Sequence, residues 1–231
     1  MTPAIRETFA TALTLLVFSV IGASLLAGAY ILTRPTIERS EEAVKLALVA
    51  QTLPAGSFDN NLIRDAQLLP ADLQLGLKRP GLAYVARKQG IANAVVLETI
   101  APDGYSGEIR LLIGIQTTGR ITGVRVTGHT ETPGLGDYIE IGRNPWITQF
   151  NGKSLTEPAD AAWKVRKDGG AFDYLAGATI TPRAVIKAVN QALHYFERHK
   201  AVLLAPVNAS GEAMQPEEAM KPKEAKHHVQ P

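Results

Sequence analysis

The segment GEIRLLIGIQTTGRITGVRVTGH, residues 107–129, decides the fold because it holds two strand-like runs on either side of a turn. The first run is apolar, and the turn falls near Gly119. The second run contains Ile121, Val124 and Val126, whose branched side chains favour strands. Two such runs separated by a glycine-containing turn are typical of neighbouring antiparallel strands. The segment therefore predicts part of an antiparallel sheet.

The residues before this segment extend the same pattern. LAYVARKQGIANAVVLETI, residues 82–100, has two β-type runs around Gly90. After the segment, residues 163–166 are predicted as a further short strand. Strands and helices do not alternate along the chain as they do in a doubly wound fold. A helix is predicted from Pro182 to about Lys200 because its apolar residues recur at helical spacing. The predicted fold class is therefore α+β, an antiparallel sheet with flanking helices.

The N-terminal segment predicts a transmembrane helix over about residues 9–33. FATALTLLVFSVIGASLLAGAYILT contains no charge over 25 residues, which is enough to cross a hydrocarbon core of roughly 30 Å. A cleaved signal peptide is the alternative, since Ala27-Gly28-Ala29 fits a small-x-small cleavage site. The apolar run exceeds the usual apolar core of a signal peptide, about 7–15 residues, and continues through Tyr30–Leu32, so an uncleaved anchor is favoured.

The predicted organisation has four parts. Residues 1–35 hold the membrane segment, and residues 36–80 hold a helix over 36–52 followed by a turn-rich connector. Residues 81–204 form the main domain. Residues 205–231, rich in Pro, Glu, Lys and Ala, are predicted to be disordered because they have too little apolar surface to offset the entropy of ordering.

Composition excludes several classes of function. The net charge is only +2 and no basic stripe is present, which argues against nucleic-acid binding. Because the sequence has no cysteine, it cannot form disulfides, thiolate zinc sites or cysteine-ligated iron–sulfur clusters. Its five histidines do not follow a metal-ligand spacing, so no metal site is predicted.

The stretch FDYLAGATITPRAVIKAV, residues 172–189, is the first candidate site. Thr181 is predicted to cap the helix, with Pro182 in its first position. The loop before it would meet a helix N-terminus, whose free N–H groups and partial positive charge suit a phosphate. Gly177 and Ala178 keep bulk away, and the Thr179 hydroxyl has no capping role. The same loop is also compatible with a helix start that binds nothing.

Two further loops contain polar groups beside glycines. GHTETPGLGDYIE, residues 128–140, follows a strand and places His129, Thr130, Glu131 and Thr132 among glycines that permit close backbone approach. DGYSGEI, residues 103–109, has the glycine-flanked Tyr105 entering a strand. From composition alone, each of these loops is predicted to be a turn with no ligand.

Taken in order, these three segments resemble the FMN-binding domain shared by the G subunit of the Rnf electron transport complex and the C subunit of the sodium-pumping NADH:quinone reductase. The resemblance covers about residues 1–200. Its most specific motif is an Asp, three residues, then Gly-Ala-Thr, matched by Asp173 and Gly177-Ala178-Thr179. The compact length, the segment at 58–65 and the polar tail favour the Rnf family over the reductase. The chain departs from the family at Ala176, where Ser or Thr is usual.

The resemblance implies roles for individual residues. In this family the motif threonine, here Thr179, is joined to FMN by a phosphoester that a separate flavinyltransferase makes, with Asp173 in that enzyme's recognition motif. The start of the 182–200 helix would hold the phosphate. The other residues expected at the cofactor are Gly177, Ala178, Thr181, Glu131, Thr132 and Tyr105.

The implied function is a membrane-anchored electron-transfer subunit of an ion-translocating oxidoreductase, not catalytic alone, with other Rnf-type subunits as partners. The implied location is a single-pass protein of the inner membrane with its domain on the periplasmic side. Lys and Arg residues flanking the apolar segment do not favour that orientation, since Arg34, Arg39 and Lys45 follow it. Two alternatives stay open: a stand-alone flavinylated extracytoplasmic carrier, and a cofactor-free membrane-tethered binding or assembly module.

Overall fold

Five antiparallel strands, arranged in chain order, form the sheet of this protein. The computed structural model describes residues 3–205, and within them the side chains of residues 12–13, 15–34 and 43–205. The α+β fold predicted from the sequence is confirmed. The helices and strands are α1 Pro3–Ala50, β1 Ala66–Leu69, β2 Gly81–Lys88, β3 Ile91–Ala101, β4 Ile109–Gln116, β5 Ile121–Gly128 and α2 Ile180–Leu203.

Both faces of the sheet are covered, which explains why its central strands are apolar at successive positions. Alternate side chains of a strand point to opposite faces. Val95 and Leu97 of β3 belong to the main core under α2, whereas Ala94 and Val96 belong to a second cluster on the opposite face. β3 pairs with β4 without interruption from Ala94↔Gln116 to Ala101↔Ile109.

Helix α2 covers the first face of the sheet. It extends the predicted helix by a few residues at each end and packs on β3 and β4. Its buried residues recur at intervals of three and four, as expected for a helix with one face in a core. They include Val185, Ile186, Val189, Leu193 and Phe196, which are the residues that the sequence assigns to this face.

The opposite face of the sheet is covered by the last turn of α1 and the residues after it. Val49, Leu53 and Leu62 pack here, and Thr52 is fully buried. The Thr52 carbonyl accepts a hydrogen bond of 2.5 Å from the Thr122 hydroxyl. Gly114 and Gly123 pair with each other beneath Thr52, so the sheet has a notch in which this segment lies.

Helix α1 is continuous through both helical segments that the sequence predicts. Among the described residues, one stretch, Leu15–Arg34, is long and apolar enough to span a membrane, and none of it is buried. The chain divides into two compact units, Met1–Lys45 and Leu46–Pro231. The first is the greater part of α1, and the second contains the sheet and α2.

Three local features differ from the predictions or lie outside them. β1 was not predicted. Residues 163–166 are not a strand: Val165 forms a single bridge with Phe172, and a 3₁₀ turn follows at Arg166–Asp168. Other 3₁₀ turns at Asp137–Ile139, Pro145–Phe150 and Asp160–Ala162 shape the long connection between β5 and α2. Apart from Ala205, the predicted disordered tail lies outside the described residues.

Candidate functional site

A small open pocket brings together the three loops that the sequence singles out. One wall comes from the loop before β4, a second from the loop after β5, and the third from the start of α2. The residues that line the pocket are Tyr105, Glu131, Thr132, Leu135, Gly136, Gly177, Ala178, Thr179, Ile180 and Thr181. Seven of the eight predicted cofactor residues are among them, and Asp173 is not.

Strand pairing places the first two loops side by side. Arg110, near the start of β4, pairs with Gly128 at the end of β5. Because antiparallel neighbours run in opposite directions, the loop entering β4 and the loop leaving β5 emerge at the same end of the sheet. The start of α2 reaches this end because the helix packs across β3 and β4.

Glu131 ties the three walls together. Its side chain is buried, and its Oε1 accepts a hydrogen bond of 3.0 Å from the Ser106 N–H. Its Oε2 accepts a hydrogen bond from the Thr181 hydroxyl. A buried carboxylate needs such donors, since burying the charge without them is costly. Both Glu131 oxygens therefore already have partners within the protein.

Two glycines leave room for this carboxylate. A Cβ on Gly104 would lie 2.8 Å from Glu131 Oε1 and 2.3 Å from the Gly107 carbonyl. A Cβ on Gly136 would lie 2.9 Å from Glu131 Oε2. Contacts this short require the neighbouring atoms to move, so a side chain at either of these two positions would disturb the buried Glu131 carboxylate.

His129 fixes the backbone beside Glu131. Its Nδ1 accepts a hydrogen bond of 3.0 Å from the Glu131 N–H, so in the neutral ring the proton lies on Nε2. Nε2 lies 2.8 Å from Glu140 Oε1. The hydrogen bond from His129, followed by that from Arg143, lowers the pKa of Glu140, so this carboxylate stays ionised and holds the histidine in place.

The two threonines at the start of α2 have separate environments. The prediction that Thr181 caps the helix is wrong, because α2 begins at Ile180 and the N-cap position falls at Thr179. Thr181 turns inward because the buried Glu131 carboxylate offers its hydroxyl a charged acceptor. Thr179 makes no side-chain capping hydrogen bond and lines the pocket.

The start of α2 is suited to an anion. The first N–H groups of a helix have no partner within it, and the helix dipole places partial positive charge there. The first turn contains no acidic residue. Gly177 has φ 90°, a conformation that favours glycine, and so turns the chain into the helix without adding a side chain to the pocket.

The pocket is large enough for a phosphate but not for a whole flavin nucleotide. Its volume is about 120 Å³, whereas sites that enclose a ligand of flavin size occupy roughly 300–1,000 Å³. Around it lie Tyr105, Leu135 and Ile180, large apolar side chains that are 65%, 40% and 46% exposed. A phosphate site bordered by apolar surface fits a ligand that has an anionic end and an extended aromatic part.

Asp173 lies outside the pocket, on the surface. Its carboxylate is 62% exposed and pairs with Arg166 Nε at 3.0 Å. Its backbone, in contrast, is held by two side chains that the sequence did not single out: Trp146 donates to the carbonyl and Gln149 accepts from the N–H. In the sequence, the only signal for these contacts is that Trp146 and Gln149 have side chains able to form hydrogen bonds with a backbone.

The polar groups of the pocket are not of the kind that holds a metal ion. Within the part of the chain that the structure describes, no group of three or more His, Cys, Asp or Glu side chains is placed to bind one. The pocket instead presents hydroxyls, backbone N–H groups and one carboxylate that already has two donors.

The fold and the pocket define a protein with an FMN-binding domain. Residues 104–194 match the FMN-binding domain family, and that range contains every pocket residue. Residues 1–52 match a second family, the RnfG N-terminal region. The two matches together cover helix α1, strands β4 and β5, and most of α2.

Curated relatives identify the family as a whole. A protein of Pseudomonas aeruginosa, named as the G subunit of an ion-translocating oxidoreductase complex, is 48% identical over 89% of this chain and 96% of its own length. The chain belongs to this family of G subunits, which confirms the resemblance. Proteins of the same name from Vibrio cholerae and Cereibacter sphaeroides are 44% and 49% identical, over 88% and 82% of this chain and 95% and 84% of their own lengths.

Replacing Glu131 by glutamine tests how the walls of the pocket are held. The amide oxygen can accept one of the two hydrogen bonds, but the other buried donor then faces an NH₂ group. We expect a loss of about 1–3 kcal/mol in unfolding free energy, measured by urea titration with the buried Trp146 and Trp163 as fluorescent reporters. Glu157→Gln, at a side chain that is 64% exposed, is the control, with an expected change below about 0.5 kcal/mol. Equal effects of the two changes would contradict the role given to Glu131.

Proposed function

We propose that this chain is a membrane-anchored flavoprotein subunit that carries FMN on Thr179 through a phosphoester and relays electrons within an Rnf-type ion-translocating complex. The observation that carries the proposal is the placement of Thr179. It is the one threonine of the α2 start whose hydroxyl lies at the pocket without the carboxylate partner that engages Thr181.

The residues of the pocket fit the phosphate end of FMN. The first backbone N–H groups of α2 have no partner within the helix and would be available to a phosphate there, and Gly177 and Ala178 add little bulk. The buried charge of Glu131 opposes a phosphate, but its two hydrogen-bond donors offset that charge. When bound, FMN supplies the redox chemistry, and the protein holds and orients it.

The size of the pocket favours a flavin ring that is not enclosed by this chain. Tyr105, Leu135 and Ile180 offer apolar surface at the mouth, where the part of FMN beyond its phosphate would extend. A ring held at the surface can exchange electrons with neighbouring subunits in direct contact. This supports a relay role within a complex in preference to independent catalysis on a small substrate.

The N-terminal segment supports an uncleaved, single-pass anchor in the inner membrane. Leu15–Arg34 has a mean hydropathy of 2.3 over 20 residues, and at about 1.5 Å per residue it matches the hydrocarbon thickness. We place the domain on the periplasmic side, as the family resemblance implies. A flavinyltransferase acting there would complete maturation of the protein.

Covalent flavin is the direct test. The full chain is purified in detergent from a host that also makes the flavinyltransferase, denatured, and examined for in-gel flavin fluorescence and intact mass. We expect a fluorescent band and a mass increase equal to FMN less one water. An unmodified chain under these conditions would refute the proposal and favour the cofactor-free assembly module. If the chain does carry flavin, copurification with Rnf-type subunits would distinguish a subunit of a complex from a stand-alone carrier.

A further inference from the structure

The loop that leads to Thr179 is held in shape by side chains from another part of the chain. Residues 173–178 belong to no helix or strand. The Asp173 N–H donates to Gln149 Oε1 at 2.8 Å. The Trp146 indole Nε1–H donates to the Asp173 carbonyl at 2.7 Å. Both backbone polar groups of Asp173 are therefore bound by side chains of the 3₁₀ turn at Pro145–Phe150.

Tyr138 provides a second attachment, closer to Thr179. Its hydroxyl accepts from the Leu175 N–H and donates to the Ala178 carbonyl, each at 3.4 Å. It therefore bridges the two sides of the turn that precedes Thr179. Burial raises the pKa of Tyr138 to about 12, so the hydroxyl keeps the proton that it donates.

These holding side chains are themselves fixed by packing. The Trp146 ring meets Tyr138 edge to face with centroids 5.4 Å apart, and meets Phe150 in the same way at 5.6 Å. Gln149 Nε2 donates to the Trp146 carbonyl at 3.1 Å. Phe150 is fully buried. Tyr138, Trp146 and Gln149 are therefore held by contacts with one another and with Phe150, and they support the loop from within the protein.

The support leaves the outer side of the loop accessible. The Asp173 carboxylate points to solvent and pairs with Arg166, while its backbone is bound from below. Leu175, two residues further along the loop, is 44% exposed. The loop thus combines a fixed backbone with exposed side chains, an arrangement suited to recognition by another protein.

We propose that Trp146, Gln149 and Tyr138 are positioning residues that fix the loop so that the Thr179 hydroxyl is presented to the flavinyltransferase. The inference rests on the proposed function. In the transfer step the Thr179 oxygen forms a bond to the FMN phosphorus of a flavin dinucleotide, the phosphoanhydride bond breaks, and the nucleoside monophosphate leaves. The hydroxyl proton passes to a base of the transferring enzyme, and no electrons are exchanged.

The test measures the rate of FMN attachment to the purified full chain in detergent, with purified flavinyltransferase, its divalent cation and flavin dinucleotide. Trp146→Phe keeps an aromatic ring but removes the indole donor. Gln149→Met removes the acceptor for Asp173, whereas Gln149→Glu keeps an oxygen there. We expect kcat/KM for the chain as substrate to fall on the order of ten- to a hundredfold in Trp146→Phe and Gln149→Met. Gln149→Glu keeps the oxygen that accepts from the Asp173 N–H but loses the donor to the Trp146 carbonyl, so it should recover part of the rate.

Trp163→Phe is the matched control. Trp163 belongs to the same aromatic cluster and is buried, but its indole Nε1 has no hydrogen-bond partner among the described residues. The Trp163→Phe variant should accept FMN at the wild-type rate. Thermal unfolding of each variant distinguishes loss of the fold from loss of the loop geometry that presents Thr179. Wild-type rates in Trp146→Phe and Gln149→Met would overturn the inference. If Trp146→Phe unfolds, the comparison of Gln149→Met with Gln149→Glu decides, and a wild-type rate in Gln149→Met overturns the inference. Failure of the wild-type chain to accept FMN would instead refute the proposed function.

Discussion

We expect the Thr179→Val variant to carry no covalent flavin, which is the largest effect that we predict for any single substitution. Valine keeps the branched shape of threonine and removes the hydroxyl that we propose as the phosphoester acceptor. Because the Thr179 side chain makes no capping hydrogen bond, the free energy of unfolding should change by less than about 0.5 kcal/mol. Loss of flavin without loss of fold is therefore the expected result, read from in-gel fluorescence and intact mass.

Three companion variants make the result specific. Thr179→Ser keeps a hydroxyl and should keep the fluorescent band. Thr132→Val removes a hydroxyl that lines the same pocket and should leave attachment intact. Thr181→Val removes one donor to Glu131, so it should lower stability and still carry flavin. Flavin retained in Thr179→Val and lost in Thr181→Val would show that the acceptor has been assigned to the wrong threonine.

The parts of the fold that were predicted correctly are those determined by neighbouring residues in the sequence. The hairpin around Gly119 and the apolar face of α2 follow from side-chain type and spacing within short windows. β1 could not be found in this way, because four residues with one buried side chain give little pattern. Its existence depends on pairing with β2, which is a contact between distant parts of the chain.

The predicted strand at 163–166 failed for a related reason. Trp163 and Val165 are buried, as alternating residues of a strand would be. Their burial comes instead from an aromatic cluster in which Trp163 lies against Phe150 and Phe172. A short alternation of apolar residues cannot distinguish a strand from a loop that inserts alternate side chains into a core.

Within the site, the residue types were predictable and their partners were not. Seven of the named residues line one pocket, but local rules made Thr181 a helix cap because Thr-Pro is a common helix start. The competing partner, Glu131, lies 50 positions earlier. A buried carboxylate outweighs a local preference worth about 1 kcal/mol, and only the fold brings that carboxylate to the threonine.

The segment that follows α1 depends on the glycine notch of the sheet, and Gly114→Ala should show this by the second largest effect. A Cβ on Gly114 would lie 2.3 Å from Thr122 Oγ1 and 2.6 Å from the Thr52 carbonyl. The backbone of Thr52 must then move, and the hydrogen bond from Thr122 to its carbonyl is lost. We expect unfolding free energy to fall by about 2–4 kcal/mol from overpacking and the lost hydrogen bond together.

Urea titration monitored by tryptophan fluorescence measures this loss, and Gly142→Ala is the matched control. A Cβ on Gly142 meets no atom within 4 Å, and its φ is not in the left-handed region, so that change should be close to neutral. Adding Thr122→Ala to Gly114→Ala removes one of the two close contacts and should recover only part of the stability, because the Thr52 carbonyl still obstructs the new methyl group. Equal stabilities of the Gly114→Ala and Gly142→Ala variants would show that residues 48–53 are not seated on the sheet. The segment that leads from α1 into the sheet would then need another attachment.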